Sequence, residues 1–328
     1  MKVILVTGGA GFIGSNFIKY FLETQKDFIV INYDKLTYAG NLENLKEIED
    51  NPQYSFVKGD ICDAKKIKKV LKKYNPDYII NFAAESHVDR SIDGPLVFVQ
   101  SNVMGTLNLL QCVHNFWSKD SYNEKRFLQV STDEVYGSIE NDTDYFTENS
   151  NLLPNSPYSA TKAGADLLVR AFFVTYGLPA ITTRCCNNYG GYQYREKFIP
   201  TCIAKAINDE PIPIYGDGLN VREWIHVLDH CAAIVKALFS GIPGEIYNIG
   251  SGEEVSNIEM AKIILTALGK PQDAIKKVSD RLGHDKRYAL DSSKAKNELS
   301  WSCNYKLNDG IAQTIFWYME NAKWLQCN

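Results

Sequence analysis

The sequence predicts an α/β protein built on a doubly wound parallel sheet, with a smaller C-terminal α/β lobe interleaved with the sheet domain. Three observations predict it. Short β-rich runs alternate with longer amphipathic stretches over the first two-thirds of the chain, the order expected when helices cover both faces of a parallel sheet. A glycine-rich turn lies between the first such run and the first amphipathic stretch. From about residue 190, Pro200, Pro211, Pro213 and Pro243 break the pattern into shorter pieces.

The strand-like runs are KVILVTG from Lys2, FIVINYD from Phe28, YSFVKGD from Tyr54, DYIINFAA from Asp77, RFLQVST from Arg126, PAITTRC from Pro179 and EIYNIG from Glu245. All are rich in β-branched or aromatic residues and are bounded by turn formers. Between them, GSNFIKYFLE and AKKIKKVLKKY space their apolar residues by three and four, as a half-buried helix requires. The connections should be right-handed crossovers. Later helices are expected near 198–209, 229–240, 257–269 and 308–321. Residues 1–186 are expected to form the nucleotide-binding domain, joined by a segment near 225–250, and residues 187–328 most of the substrate lobe. There is no low-complexity tract or internal repeat.

At 328 residues and 45% apolar content the chain can bury a large core. A net charge of −4 offers no basic footprint, which argues against nucleic acid as a partner. No stretch reaches the ~18 uninterrupted apolar residues of a membrane span. The eight cysteines show no C-x-x-C spacing, and Cys185 and Cys186 are neighbours, so free thiols in a reducing compartment are expected. The opening MKVILVTGG runs directly into the glycine motif without a cleavage-site pattern. A cytoplasmic location is the expectation. Five histidines without zinc-ligand spacing predict no metal.

VTGGAGFIG places Gly8, Gly11 and Gly14 after the first strand and at the start of the first helix. Glycines there permit a tight turn and let backbone N–H groups approach a pyrophosphate at the positive helix end. A glycine-rich turn alone would be the plainer reading. The flanking strand and helix, and Asp34 twenty residues after Gly14, favour a Rossmann-type dinucleotide site. A carboxylate at that place accepts from ribose hydroxyls and repels a 2′-phosphate, so NAD is expected rather than NADP, although Lys35 stands beside it. Asp60 and Ile61 should border the adenine. The run NFAAES, Asn81 to Ser86, should pass the middle of the cofactor.

YSATK sets Tyr158 and Lys162 at i and i+4 on one helix face, with Pro157 suited to the first turn. A tyrosine with a pKa of ~10 is a poor base. A nearby ammonium and a positively charged nicotinamide ring would favour its phenolate. A surface Tyr–Lys pair is the plainer alternative. Joined to the glycine loop and to Ser131 and Thr132 at a strand end, the pair describes hydride transfer at a secondary alcohol.

STDEVYG adds adjacent carboxylates, Asp133 and Glu134. Asp133 alone reads equally well as a capping residue. If Thr132, Asp133 and Glu134 all face one substrate, strand alternation must end at Thr132. Gly137 suggests that it does.

The chain resembles the extended short-chain dehydrogenase/reductases, and among them the family of dTDP-glucose 4,6-dehydratases. The matching pieces are TGGAGFIGSNF, YDKLTYAGNLENL, NFAAESHVDRSI, STDEVYG, NSPYSATKA, RCCNNYG, YGDGLNVREWIHVLDH and GHDKRYALD. They span nearly the whole chain. In that family a tyrosine takes the C4 hydroxyl proton while hydride leaves C4 for NAD+. A glutamate then removes the C5 hydrogen, an aspartic acid protonates the departing C6 hydroxyl, and hydride returns to C6. The resemblance implies Tyr158 as the C4 base, Lys162 as its pKa partner and Thr132 as a hydrogen-bonding group for O4. It implies Asp133 as the C6 acid and Glu134 as the C5 base.

The resemblance also implies a cofactor set of Gly8, Gly11, Phe12, Ile13, Gly14, Asp34, Lys35, Leu36, Thr37, Asp60 and Ile61. Phe82, Ala83, Ala84, Glu85, Ser86, Ser101, Tyr158, Lys162 and Asn188 complete it. Around the nucleotide sugar it places Ser86, His87, Thr106, Thr132, Asn187, Lys197, Pro213, Tyr215 and Asn257. Arg222 is a candidate phosphate clamp, with Arg287 and Tyr288 closing on the same diphosphate. Arg222 reads alternatively as an ion pair with Glu223, and Tyr215 as a core aromatic. His87 between Ser86 and Asp89 lacks a triad's geometry and reads as a lining or structural residue.

Two positions depart from the family pattern. Gly191 stands where proline is usual after NNYG, and Arg195 stands where proline is common. The expected substrate is a nucleotide sugar, dTDP-glucose before UDP- or CDP-glucose. A C4 epimerase or decarboxylase and a non-catalytic NAD-binding regulator are the alternatives. The apolar stretch 91–118 and the 158–177 helix would form a four-helix homodimer interface, or pack internally.

Overall fold

The computed structural model describes residues 1–325. Its strands are β1 Lys2–Thr7, β2 Phe28–Asp34, β3 Tyr54–Lys58, β4 Tyr78–Asn81, β5 Arg126–Thr132 and β6 Ala180–Cys185. They continue with β7 Asn187–Tyr189, β8 Ile212–Tyr215, β9 Val221–His226, β10 Ile246–Ile249, β11 Glu254–Ser256 and β12 Ile275–Val278. Seven of them make one sheet in the order β10-β6-β5-β4-β1-β2-β3, and every neighbouring pair is parallel. The winding reverses between β1 and β4, which opens a crevice beyond the carboxyl ends of the strands. Thr7 pairs with Tyr33 on one side and Asn81 on the other, so these ends lie level. Buried side chains tie them together: Thr7 donates to Asn81 at 2.6 Å, and Asn81 to Gln129 at 2.8 Å.

Strand alternation divides the core between the two faces. Ile4, Val6, Val30, Ile80 and Leu128 pack with the helices Phe12–Thr24 and Val227–Ser240. Leu5, Ile31, Ile79 and Phe127 face the helices Ala64–Tyr74, Thr106–Phe116 and Pro157–Tyr176. A third cluster, including Ile203, Ile212, Trp224, Met260 and Ile311, lies under the C-terminal lobe. That lobe carries a three-stranded sheet, β11-β9-β7, and a two-stranded one, β12-β8.

All seven expected strands form. The later helices, Phe198–Ile207, Val227–Ser240, Asn257–Ala267 and Leu307–Glu320, lie within two residues of their expected ends. Strands β7, β8, β9, β11 and β12 were not predicted, because most are too short to display an alternating pattern. After the lobe begins, the helix Val227–Ser240 returns to pack on Phe12–Thr24, and β10 joins the large sheet beside β6.

The stretch expected at 91–118 is instead two elements. A short helix, Val88–Asp93, stops at Gly94, and a continuous helical run, Pro95–Phe116, follows with a π-helical turn at Val99–Gly105. By length and composition this run could cross a membrane. Its polar side chains are used inside the fold, however: Asn102 exchanges hydrogen bonds with the Glu85 backbone (2.8 and 3.0 Å) and donates to Thr161 at 3.0 Å.

The helix Pro157–Tyr176 starts from a capping box formed by Ser156 and Ser159, with Pro157 in its first turn. It is fixed to the sheet by Asp166, which accepts from Arg184 of β6 at 2.9 Å, both side chains being at most 4% exposed. A buried charge left unpaired costs about 3–5 kcal/mol. Asp166→Asn is therefore expected to lower the urea midpoint by that equivalent, whereas an Asp166→Leu/Arg184→Met pair recovers most of the loss. Equal midpoints for Asp166→Asn and the native chain would show that the pair does not hold the helix.

Candidate active site

One large cavity runs from the glycine loop, across the carboxyl ends of the central strands, into the C-terminal lobe. Gly8, with φ +70°, and Gly14 shape its first wall. A Cβ on Gly8 would stand 2.6 Å from the Ala83 nitrogen, and one on Gly14 would stand 2.3 Å from the Gly8 oxygen. The helix that follows has Gly11 as N-cap, no side-chain cap and no acidic residue in its first turn. Its free N–H groups and positive end therefore suit a pyrophosphate. Asp34 closes the same wall, its carboxylate accepting from the N–H groups of Ala10 (2.9 Å) and Leu36 (2.7 Å). Lys35 is paired with Asp60 at 2.8 Å rather than with Asp34. These residues fit NAD.

The expected cofactor residues Gly8, Gly11, Phe12, Ile13, Gly14, Asp34, Lys35, Thr37, Asp60 and Ile61 all line the cavity, as do Phe82 through Ser86, Ser101, Tyr158, Lys162 and Asn188. Leu36 does not. It adopts φ +58°, and its N–H donates to Asp34. Of the substrate set, Ser86, His87, Thr132, Asn187, Lys197, Pro213, Tyr215, Arg222, Asn257 and Tyr288 line the cavity.

Thr106 and Arg287 do not line it and are corrected. Thr106 is 1% exposed and accepts from Asn81 at 3.2 Å, inside the core. Arg287 is held away by a bidentate pair with Glu254 (2.7 and 2.9 Å) and by the carbonyls of Asn141 and Asp144. Arg281 lines the cavity where Arg287 was expected. It stands 3.7 Å from Asp89, and its Nε has no hydrogen-bond partner among the described residues. The sequence signal was present in SDRLGHDKRY, where two arginines compete and the Glu254 pair holds one of them away.

The catalytic end is built by β5 and two helices. The chain leaves its extended form after Thr132 and enters a 3-10 turn, Asp133–Tyr136, closed by Gly137 at φ +90°. This bend turns Thr132, Asp133 and Glu134 into the same cavity. Thr132 accepts from the Glu134 N–H at 3.3 Å and donates to Asp133 at 3.1 Å. The other Asp133 carboxyl oxygen is buried with no partner among the described residues.

Burial pushes both acids upward, but their neighbours differ. Asp133 meets further negative groups, Glu134, Cys185 and Glu223, and is held well above the usual carboxylate range. Glu134 also rises by burial, while Arg281, Arg222 and Lys197 pull it back toward the charged form. One acid thus holds its proton more strongly than its neighbour, the difference an acid–base pair uses.

Tyr158 is pushed well above its ordinary value by burial and by Glu134 and Asp133, with a hydrogen bond to Thr132 opposing. Lys162 is lowered to about 8 by burial, and Asp166 supports its charge. Its ammonium donates to the Val130 carbonyl at 2.7 Å. The expected lowering of Tyr158 by Lys162 is therefore not supplied by the protein alone.

In the lobe, Arg222 is locked by the carbonyls of Val221 (2.7 Å) and Asp285 (2.9 Å) and lies over the Tyr288 ring. Glu223 points elsewhere, accepting from the N–H groups of Gly252 and Leu290, so the proposed Arg222–Glu223 pair does not form. Tyr215 is 42% exposed at the far end and bonds to Asp89, with His284 edge-on to its ring. Lys197 donates to the Ser86 carbonyl at 2.7 Å. Sequence reasoning also missed Tyr38, Glu196, His230 and His284, all of which line the cavity. Glu196 pairs with Arg90 at 2.8 Å, and the Arg90 guanidinium stacks over Tyr38.

The two departures also find their places. The indole of Trp317 occupies the space where a side chain at Gly191 would project, 2.8 Å from an ideal Cβ. Arg195 gives its carbonyl to Thr201 at 2.8 Å, at the start of the helix Phe198–Ile207. The seven cysteines among the described residues are free thiols.

Comparison with known proteins matches residues 5–314 to the family described as GDP-mannose 4,6 dehydratase. A dTDP-glucose 4,6-dehydratase of Xanthomonas campestris pv. campestris (strain B100) is 51% identical, over 99% of this chain and 95% of the relative. The crystal structure of DesIV, a dTDP-glucose 4,6-dehydratase from Streptomyces venezuelae with NAD bound, is 48% identical with a TM-score of 0.93. It covers 99% of this chain and 100% of that one. The dTDP-glucose 4,6-dehydratase of Bacillus anthracis in complex with NAD is 47% identical with a TM-score of 0.91, over 99% and 100% of the two chains.

The raised Asp133 has a thermodynamic consequence. A carboxyl whose folded pKa lies above its unfolded value stabilises less as pH rises through the folded value. Asp133→Asn is therefore expected to match the native chain in stability at pH below about 4 and to exceed it increasingly toward neutral pH. Denaturant midpoints measured across that range check it. A constant offset would mean that Asp133 ionises freely in the fold.

Proposed function

This chain belongs to the GDP-mannose 4,6-dehydratase family, and we propose that its reaction is the 4,6-dehydration of dTDP-glucose. It is an NAD-dependent hydro-lyase whose product is dTDP-4-keto-6-deoxy-D-glucose, a deoxysugar precursor. The observation that carries the reading is the pair Asp133–Glu134, set in opposite charge environments beside Tyr158. An epimerase on the same scaffold would use the tyrosine but has no need of an eliminating pair.

Bound NAD, held by the glycine loop, Asp34 and Lys162, accepts hydride from C4 and returns it at C6. Tyr158 takes the proton of the C4 hydroxyl, and Thr132 holds O4 by a hydrogen bond. The resulting 4-ketone acidifies the C5 hydrogen. Glu134, raised by burial but drawn back toward its charged form by Arg281, Arg222 and Lys197, removes that proton. Asp133, kept neutral by burial and negative neighbours, protonates the C6 hydroxyl as it leaves. Arg222 and Arg281 receive the diphosphate, and Tyr215 lies against the base. Residues 1–186 with the returning segment 225–250 serve the cofactor, and 187–325 chiefly the sugar nucleotide.

The protein acts in the cytoplasm as a homodimer in this reading. Leu96, Val97, Val99 and Met104 on one helical run, and Leu167 and Val174 on the neighbouring helix, leave large apolar side chains exposed on adjoining surfaces. Such a patch suits a second copy better than water. Leu167→Glu is expected to shift the mass seen by light scattering from dimer to monomer. A native chain that is monomeric at all concentrations ends the dimer reading.

Incubation with dTDP-glucose should yield a 4-keto-6-deoxy sugar, and formation of dTDP-galactose would refute the assignment. Turnover on dTDP-glucose should exceed that on UDP- or CDP-glucose. Glu134→Gln should still reduce bound NAD+ with substrate but lose solvent exchange at C5 by at least ~10²-fold, the scale of a removed general base. Full turnover by this variant would remove Glu134 from its role.

A further inference from the structure

We propose that Trp324, in the C-terminal turn, is a positioning residue for the cofactor loop, acting through Asn44 on the carbonyl of Ala10. The inference rests on NAD being the ligand of that loop. Ala10 sits between Gly9 and Gly11 and is fully buried behind the cavity wall. Its peptide groups are fixed on both sides. Its N–H donates to Asp34 at 2.9 Å, and its carbonyl accepts from the Asn41 N–H and the Asn44 side chain, both at 3.0 Å. That carbonyl shares a peptide plane with the N–H of Gly11, the N-cap of the pyrophosphate-facing helix. Holding one holds the other.

Asn44 can do this only in one of its two amide orientations. Trp324 selects it. An indole N–H only donates, and Trp324 donates to the Asn44 side-chain oxygen at 2.9 Å, which leaves the NH2 group for Ala10. Asn44 is 3% exposed, so water offers no substitute partner.

Trp324 is seated in turn by Trp317 and Tyr192, with ring centroids 5.5 and 5.6 Å away. Tyr192 donates to Glu47 at 3.0 Å and lies under the Lys19 ammonium at 3.3 Å. Glu47 and Asn44 belong to the same 3-10 helix, Leu42–Ile48. This short helix therefore contacts Tyr192, the C-terminal turn and the cofactor loop. An enzyme that regenerates its NAD in each turnover has reason to retain it, and this contact does so from outside the cavity.

The test compares Trp324→Phe, which keeps a ring but removes the donor, with Asn44→Asp, which still accepts from the indole but cannot donate to Ala10. NAD affinity is measured by equilibrium dialysis and NAD release by rapid gel filtration, independently of turnover. Each variant is expected to weaken NAD binding about three- to tenfold, the scale of one hydrogen bond. The double variant should be no weaker than Asn44→Asp, and kcat at saturating NAD should stay within about twofold. Unchanged NAD binding in Trp324→Phe overturns the proposal. So do additive losses, which would mean that Trp324 does not act through Asn44. Loss of kcat along with affinity overturns it too. Failure of the native chain to turn over dTDP-glucose with NAD binding intact would strike the functional reading and leave this one standing.

Discussion

Burial raises both members of an adjacent carboxyl pair, and the cations of the C-terminal lobe draw Glu134 back while negative neighbours push Asp133 further up. Arg222, Arg281 and Lys197 come from three separate segments of the C-terminal lobe and converge on Glu134. Asp133, one residue earlier, faces Cys185 and Glu223 from strands below. The division depends on the bend after Thr132, because an extended backbone would send the two side chains to opposite faces of the sheet. It depends equally on the lobe, since the large sheet alone would leave both acids in similar surroundings.

The sheet in turn explains why the bend falls where it does. Strand β5 lies beside β4, next to the reversal of winding, so its carboxyl end opens into the crevice. The helix Pro157–Tyr176 crosses behind it and brings Tyr158 and Lys162 to the same level, fixed by the Ser91 hydroxyl on the Tyr158 N–H and by the Asp166–Arg184 pair. Gly8 and Gly14 shape the loop that lines the same cavity. Each feature is local in sequence, and only the parallel order of the strands joins them.

That locality is why so much could be read from the chain. The first six strands, the glycine loop, Asp34 and the Tyr158–Lys162 spacing each announce themselves within a few residues. The bend at Thr132 followed from asking how three consecutive side chains could share a site. What escaped was what depends on long-range packing. Arg281 and Arg287 are six residues apart in one loop, and only the Glu254 partner on β11 decides which of them turns away. Leu36 lies next to wall residues without lining the cavity, and Thr106 is buried against Asn81. Strands β7, β8, β11 and β12 have three or four residues each, too few for a period to appear. Nor does the sequence near Gly191 show that Trp317, far off in the chain, packs against its bare backbone.

The tyrosine completes the electrostatic logic. Burial and two neighbouring carboxyls hold the Tyr158 phenol protonated, and the Lys162 ammonium is engaged by a carbonyl. By itself the protein therefore makes Tyr158 a weak base. Positive charge must arrive beside it before it can accept a proton, and the cavity admits such charge at the end of the cofactor channel where Tyr158 stands. With Asp133 protonated, the repulsion on the phenolate is smaller than two charged carboxyls would give. In the proposed reaction the proton that Asp133 gives to the C6 oxygen would first ease ionisation at C4, so a change at Asp133 is expected to reach both oxidation and elimination.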